Sequence, residues 1–298
     1  VDLSDLIKDI TVDNLVLVNN LVSDFIKRAI VPMNKQNVLH RDVKDVNIMY
    51  DSNNLVLIDW GFCAIGTNKT KLPDSIIDDY KPLMFNTPFS SLLLKISNDV
   101  DSLDFSSWFY NSMNKYKQEP IEKVIFNYLN TKYLPTFSGW DHTQWLHYNL
   151  YNIFKNYNFP ANIRTDNNNH LFTDLIINYL KSILTSQLYV NNKYRFNKVN
   201  FYYNNYSHNC DIWGTCSVFF FIILKLQSSI LPNKDDIIYA YQDMLWNFIF
   251  KNGALKIDVN GLCDTGGELD KINSIILEGT DLKSVAKLRR SERLSKKK

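Results

Sequence analysis

The stretch His40-Arg41-Asp42-Val43-Lys44-Asp45-Val46-Asn47, followed by Leu57-Ile58-Asp59-Trp60-Gly61, gathers carboxylates, an ammonium and an amide in one short segment. Phosphoryl transfer needs a carboxylate to orient the attacking hydroxyl, oxygen ligands for Mg2+ and a cation near the moving charge. Asp42, Asn47 with Asp59, and Lys44 match those needs in that order. The local pattern supplies a scaffold. Val38-Leu39 reads as a short strand, and Asn47 to Tyr50 and Leu55 to Ile58 flank the turn-rich Asp51-Ser52-Asn53-Asn54, which predicts a hairpin. Asn47 enters one strand and Asp59 leaves the other, so both oxygen ligands emerge at the same end.

This segment resembles the protein kinase superfamily, whose catalytic loop reads H-R-D-x-x-x-x-N and whose metal motif reads D-F-G. The resemblance implies that Asp42 is the catalytic base, that Asn47 and Asp59 hold Mg2+, and that Lys44 contacts the transferred phosphate of ATP. It makes His40, Arg41 and Gly61 supporting residues. Lysine two residues after the base is the serine/threonine pattern of that family. Trp60 stands where the family has Phe, and its ring is expected to pack under the site.

Two further blocks extend the resemblance. Asp211-Ile212-Trp213-Gly214 opens the apolar run 215–224 and is similar to the family's central buried helix, whose Asp braces the catalytic loop. An Asp ahead of such a run predicts an N-cap, and the run is too short to cross a bilayer. Asn86-Thr87-Pro88 resembles part of the activation segment, where the Thr hydrogen-bonds the catalytic Asp and Lys, so Thr87 joins the candidate site; an ordinary Thr-Pro turn is the alternative. Leu92-Leu93-Leu94 replaces the family's A-P-E, so apolar packing must stand in for its buried ion pair. Thr67, Thr70 and Ser75 are candidate phosphorylation sites or plain loop hydroxyls, and Arg41 is the family's receptor for such a phosphate.

The resemblance implies a fold that is mainly α (α+β): a kinase-like large lobe with a short β-hairpin at the catalytic loop and a helical insertion. The family's small β lobe, with its glycine-rich strand-turn-strand, is absent from this chain, because no G-x-G-x-x-G occurs in it. The chain therefore reads as part of a longer product, and by itself it is expected to bind ATP weakly and to be inactive. Asn14 to Ile30 predicts the long helix before the loop. The expected divisions are 1–94 for the catalytic loop, metal motif and activation segment, 95–205 for the insertion, 206–282 for the rest of the lobe, and 283–298 for a basic tail.

With 298 residues, 45% of them hydrophobic, the chain can bury a full core. A net charge of +2 excludes a strong electrostatic attraction of the whole surface to nucleic acid, leaving only the basic tail for that role. The four cysteines have no C-x-x-C spacing and the five histidines are scattered, so a zinc site is not expected and reduced thiols in the cytoplasm are. Abundant Asn, Lys, Ile and Tyr resemble coding from an AT-rich genome, as in large DNA viruses and some protists; a viral source would put the protein in the host cytoplasm.

Residues 95–205 are far longer than a normal connection. Apolar spacing predicts helices near Ile121 to Leu129, Trp140 to Tyr157 and Leu171 to Leu188, interrupted by Pro120, Pro135, Pro160 and Asp166-Asn167-Asn168-Asn169. Trp145, Tyr148, Tyr151, Phe154 and Tyr157 recur at helical intervals, either to pack the insertion onto the lobe or to dock a partner. Helices over Asp235 to Phe250 and Leu269 to Leu277 complete the lobe. The function these features imply is that of a serine/threonine protein kinase acting on a protein substrate with Ser or Thr. A pseudokinase scaffold that binds partners through the insertion, and a small-molecule phosphotransferase, are the alternatives.

Overall fold

The computed structural model describes residues 1–51, 53–77, 82–94, 105–115, 119–137, 141–187, 189–190, 193–194 and 196–279. The basic tail and the first residues of the insertion lie outside that set. The chain is mainly helical, with 66% helix and 5% strand.

The first long helix begins at Val12, where the Thr11 hydroxyl accepts from Asn14 N at 3.2 Å. It buries Leu15, Val18, Leu21, Val22 and Phe25, the stripe expected from the sequence. It does not stop at Ile30. A π turn over Ile26–Ile30 carries it into Val31–Lys35, and Pro32 fits because it falls in the first turn after that junction. Strand β1 (Val38–Leu39) follows and pairs with β4 (Ala64–Ile65).

Between them, β2 (Ile48–Asp51) and β3 (Asn54–Leu57) form the expected hairpin, with Ile48 opposite Leu57 and Asp51 opposite Asn54. Asn53 takes φ +72, a left-handed conformation that Asn tolerates. The chain start lies against β2, where Tyr50 N donates to Val1 O at 2.8 Å.

The central helix differs from expectation. It runs from Lys198 to Gln227 through a π turn at Tyr202–Tyr206 and the segments Ser207–Cys216 and Val218–Gln227. Its cap is Asn197, whose side chain accepts from Asn200 N, so Asp211 is mid-helix rather than an N-cap. A tertiary partner for its carboxylate overrides the local preference. At 30 residues this helix is also long enough to span a bilayer, contrary to the shorter length expected, but 83% of its most apolar window is buried inside the protein. Packing against protein accounts for its hydropathy. It is the one such helix among the described residues.

The insertion helices form Ile121–Tyr128, Asp141–Phe154 and Asn168–Gln187, close to the predicted spans. One expected interruption is not an interruption, while the Asn run does separate two helices. Pro135 sits in the short helix Leu134–Phe137 after a π turn, and Asn167 caps the next helix by accepting from His170 N at 2.9 Å. Phe154 and Tyr157 pack inward, with Phe154 meeting Phe250 at 5.7 Å; Trp145 meets Phe85 at 4.6 Å and Phe221 at 5.5 Å but stays partly exposed, and Tyr148 is exposed. Phe89 contacts Phe172 and Tyr179 of the insertion together with Trp213 and Phe250. Insertion and lobe thus share one core. The end of the lobe is built from Lys234–Met244, a π turn at Leu245–Phe250, and a helix over 268–279.

Candidate active site

The loop 40–47 is buried against the middle of the central helix. Asp211 is 0% exposed, and its carboxylate accepts from His40 N at 2.9 Å and Arg41 N at 2.8 Å. Burial raises the Asp211 carboxyl above its ordinary value, and those two N–H groups oppose the rise. Close approach is possible because residue 214 is Gly: a Cβ there would lie 2.7 Å from Val43 O. Trp213 Nε1 donates to Phe85 O at 2.7 Å, which ties the segment before Asn86 to the same helix.

His40 is fully buried and fully used. Its Nε2 donates to Ile58 O at 2.9 Å while its Nδ1 accepts from Asp42 N at 3.3 Å, so the ring is a neutral Nε2–H tautomer. The Trp60 ring meets it edge-on at 4.9 Å, although Trp60 remains 46% exposed rather than packed beneath the site. Arg41 takes φ +66, a conformation costing on the order of 1 kcal/mol for a residue of this kind. The two bonds to Asp211 hold it there, and Arg41 Nη1 donates to Ser75 O at 2.8 Å and Phe62 O at 3.3 Å.

The Asp42 side chain is buried at 2% exposure and receives three donors. Lys44 Nζ reaches Oδ2 at 2.8 Å, Asn47 Nδ2 reaches Oδ2 at 3.0 Å and the Asp42 carbonyl at 2.9 Å, and Asn86 Nδ2 reaches Oδ1 at 2.8 Å. Asn86 makes the contact that the kinase resemblance gives to Thr87. The Thr87 backbone N–H bonds Met84 O at 3.0 Å and its side chain is half-buried. Asn86 was the residue that sequence reasoning passed over. An Asn before Thr-Pro is at home in any turn, and nothing local marks a partner 44 positions away.

Asn47 and Asp59 come together as the hairpin predicts, since Ile58 N donates to Asn47 O at 3.0 Å. With its Nδ2 committed to Asp42, Asn47 has Oδ1 left to offer. Asp59 is exposed, with φ +61, and Gly61 follows it with open space around it save for Asp59 Oδ1 at 3.4 Å. Those oxygens suit a hard cation that keeps part of its water shell. Among the described residues no group of three or more His, Cys, Asp or Glu side chains is arranged to hold a metal. A cation here would therefore rely on two protein oxygens plus oxygens of a ligand. Leu92, Leu93 and Leu94 are buried, which fits the apolar substitution expected for A-P-E. No family model, curated protein or solved structure matches the chain.

Proposed function

We propose that this chain is the large-lobe portion of a serine/threonine protein kinase catalytic domain, transferring the γ-phosphate of ATP to a Ser or Thr hydroxyl of a protein. The observation that carries this reading is the Asp42 carboxylate, clamped by Lys44, Asn47 and Asn86 on a loop whose backbone is tied to Asp211. Asp42 would orient the attacking hydroxyl and take its proton. Lys44, 2.8 Å from Asp42, places a positive charge where negative charge develops in the transition state. Asn47 Oδ1 and the Asp59 carboxylate would hold Mg2+, which neutralises phosphate charge when bound. Val56, Ile58 and Trp60 expose apolar surface on and after the hairpin strand that leads to Asp59, which suits a nucleotide base or a covering segment.

The test is transfer of labelled γ-phosphate to protein substrates, measured on the product of the complete reading frame. Asp42→Ala and Asp59→Ala should each reduce transfer by at least about a thousandfold with the fold retained by circular dichroism. Undiminished transfer in either variant would sink the assignment. One observation favours a pseudokinase scaffold: both Asp42 oxygens are already engaged, and Thr87 is not among their partners. Absence of transfer from the wild type to any protein or small-molecule acceptor would select that reading.

A further inference from the structure

The two oxygens of the Asp42 carboxylate are not equivalent. Lys44 Nζ and Asn47 Nδ2, two and five positions along the same loop, both reach Oδ2, at 2.8 and 3.0 Å. A carboxylate oxygen accepts about two hydrogen bonds, so Oδ2 is filled. Oδ1 takes one donor among the described residues, Asn86 Nδ2 at 2.8 Å, from 44 positions away. A carboxylate only accepts, so the nitrogen of the Asn86 amide must face it and the amide oxygen must point elsewhere. One acceptor site remains, and it is on Oδ1.

Asn86 is held by the central helix and not by the loop. It is 5% exposed, and the carbonyl before it, Phe85 O, accepts from Trp213 Nε1 at 2.7 Å. The Phe85 ring lies between Trp145 and Phe220, each at 4.6 Å. The carbonyl of Asn86 lies 3.4 Å from the point that a Cβ on residue 214 would occupy. Asp211, which fixes the loop backbone at His40 and Arg41, belongs to the same turn as Trp213 and Gly214. One turn of one helix therefore sets the backbone that carries Asp42 and, through Asn86, the direction of its side chain. Lys44 and Asn47 hold the carboxylate relative to the loop, whereas Asn86 holds it relative to the rest of the protein. Without Asn86 both remaining donors pull on Oδ2, and Oδ1 can swing about the Cβ–Cγ bond.

We propose that Asn86 is a positioning residue for phosphoryl transfer: its amide fixes Asp42 Oδ1 so that the one vacant acceptor site of that oxygen receives the proton of the substrate hydroxyl. This rests on the phosphoryl-transfer reading and assigns the base to a single atom. The hydroxyl proton passes to Oδ1 as the hydroxyl oxygen bonds the γ-phosphorus, and the β–γ bridging oxygen leaves on ADP with the electron pair of the broken bond. Thr87, half-buried beside Asn86, takes no part in holding the carboxylate.

The experiment measures kcat and KM for transfer to a Ser-containing peptide, on the product of the complete reading frame, in Asn86→Leu, Asn86→Ala and Thr87→Val. Leu keeps the branched shape of Asn and removes the donor. In both Asn86 variants kcat should fall about a hundredfold while KM for ATP and for peptide changes less than about threefold, because a misdirected base impairs the chemical step and not binding. The loss of kcat in Thr87→Val should be at least about tenfold smaller than in Asn86→Ala. A kcat within about threefold of wild type in both Asn86 variants overturns the proposal, as does a rise in KM in place of the fall in kcat, or a larger loss in Thr87→Val. Loss of the fold in both Asn86 variants, read by circular dichroism, makes the bond a structural one and overturns it too. A wild type without transfer defeats the phosphoryl-transfer reading and this proposal with it, whereas an active wild type indifferent to Asn86 defeats this proposal alone.

Discussion

Two buried histidines divide the molecule. His40, at 0% exposure, has a partner for each ring nitrogen, and Asp42 and Asn47 of its loop are likewise engaged. His147, at 7%, has one weak contact to Asn169 and one empty nitrogen, with an empty hydroxyl four residues before it. The loop is a closed network whose members fix one another. The surroundings of His147 are an open one whose geometry is set by apolar packing, such as the Phe172 ring 3.7 Å from His147. Closed networks are costly to cut and open ones are cheap to alter, because only the former leave a charged or polar group stranded when a member is removed.

The largest effect should therefore come from opening the closed network. Asp211→Ala strands His40 N–H and Arg41 N–H in the interior and releases the left-handed Arg41. A loss of about 3–5 kcal/mol in urea unfolding is expected, and a loss below about 1 kcal/mol would mean the loop holds itself. Next is the pH response of the open region. The value of about 4 for His147 lies below the ordinary 6.5, so the unfolded chain takes the proton first. Stability present above pH 6.5 is then lost as pH falls toward 4, by on the order of 3 kcal/mol for this group. Subtracting the curve of His147→Leu isolates its contribution from the neighbouring charged groups Asp166, His170, Arg164 and Asp174, which both proteins share; identical curves would refute it. Gly214→Ala pushes a methyl against Val43 O and should cost about 1–3 kcal/mol, read from the thermal midpoint. Smallest is Asn169→Ala, which removes the exposed partner of His147 and should change stability by less than about 1 kcal/mol. A larger loss there would show that the surroundings of His147 are more tightly knit than this one contact suggests.

What was legible in the sequence follows the same division. The hairpin announced itself through alternation and a turn, because its register is local. The backbones of Asn47 and Ile58 are neighbours for that reason. The insertion helices were legible from their spacing, but not every end was: Pro135 looked like a break, whereas a π turn carries the helix through it, and the break at the Asn run ends in an Asn cap. Asp211 was recognisable as a brace only by resemblance to the kinase pattern, and its local context pointed to a cap instead. Asn86 carried no local signal. The orphaned pair Thr143 and His147 was invisible too, since two residues at helical spacing look like any other buried face and only the tertiary packing leaves Thr143 Oγ1 and His147 Nε2 without partners.

The bonds from Asp211 to His40 and Arg41 span 171 and 170 positions. Closing so long a loop is entropically unfavourable until the intervening helices have condensed, so this contact belongs to the late part of folding. On a ribosome, residues 40–47 emerge well before the helix that fixes them. The loop 40–47 is made early and set last, and a chain interrupted between residues 86 and 211 would carry Asp42, Lys44, Asn47 and Asn86 without the helix that sets the loop carrying the first three.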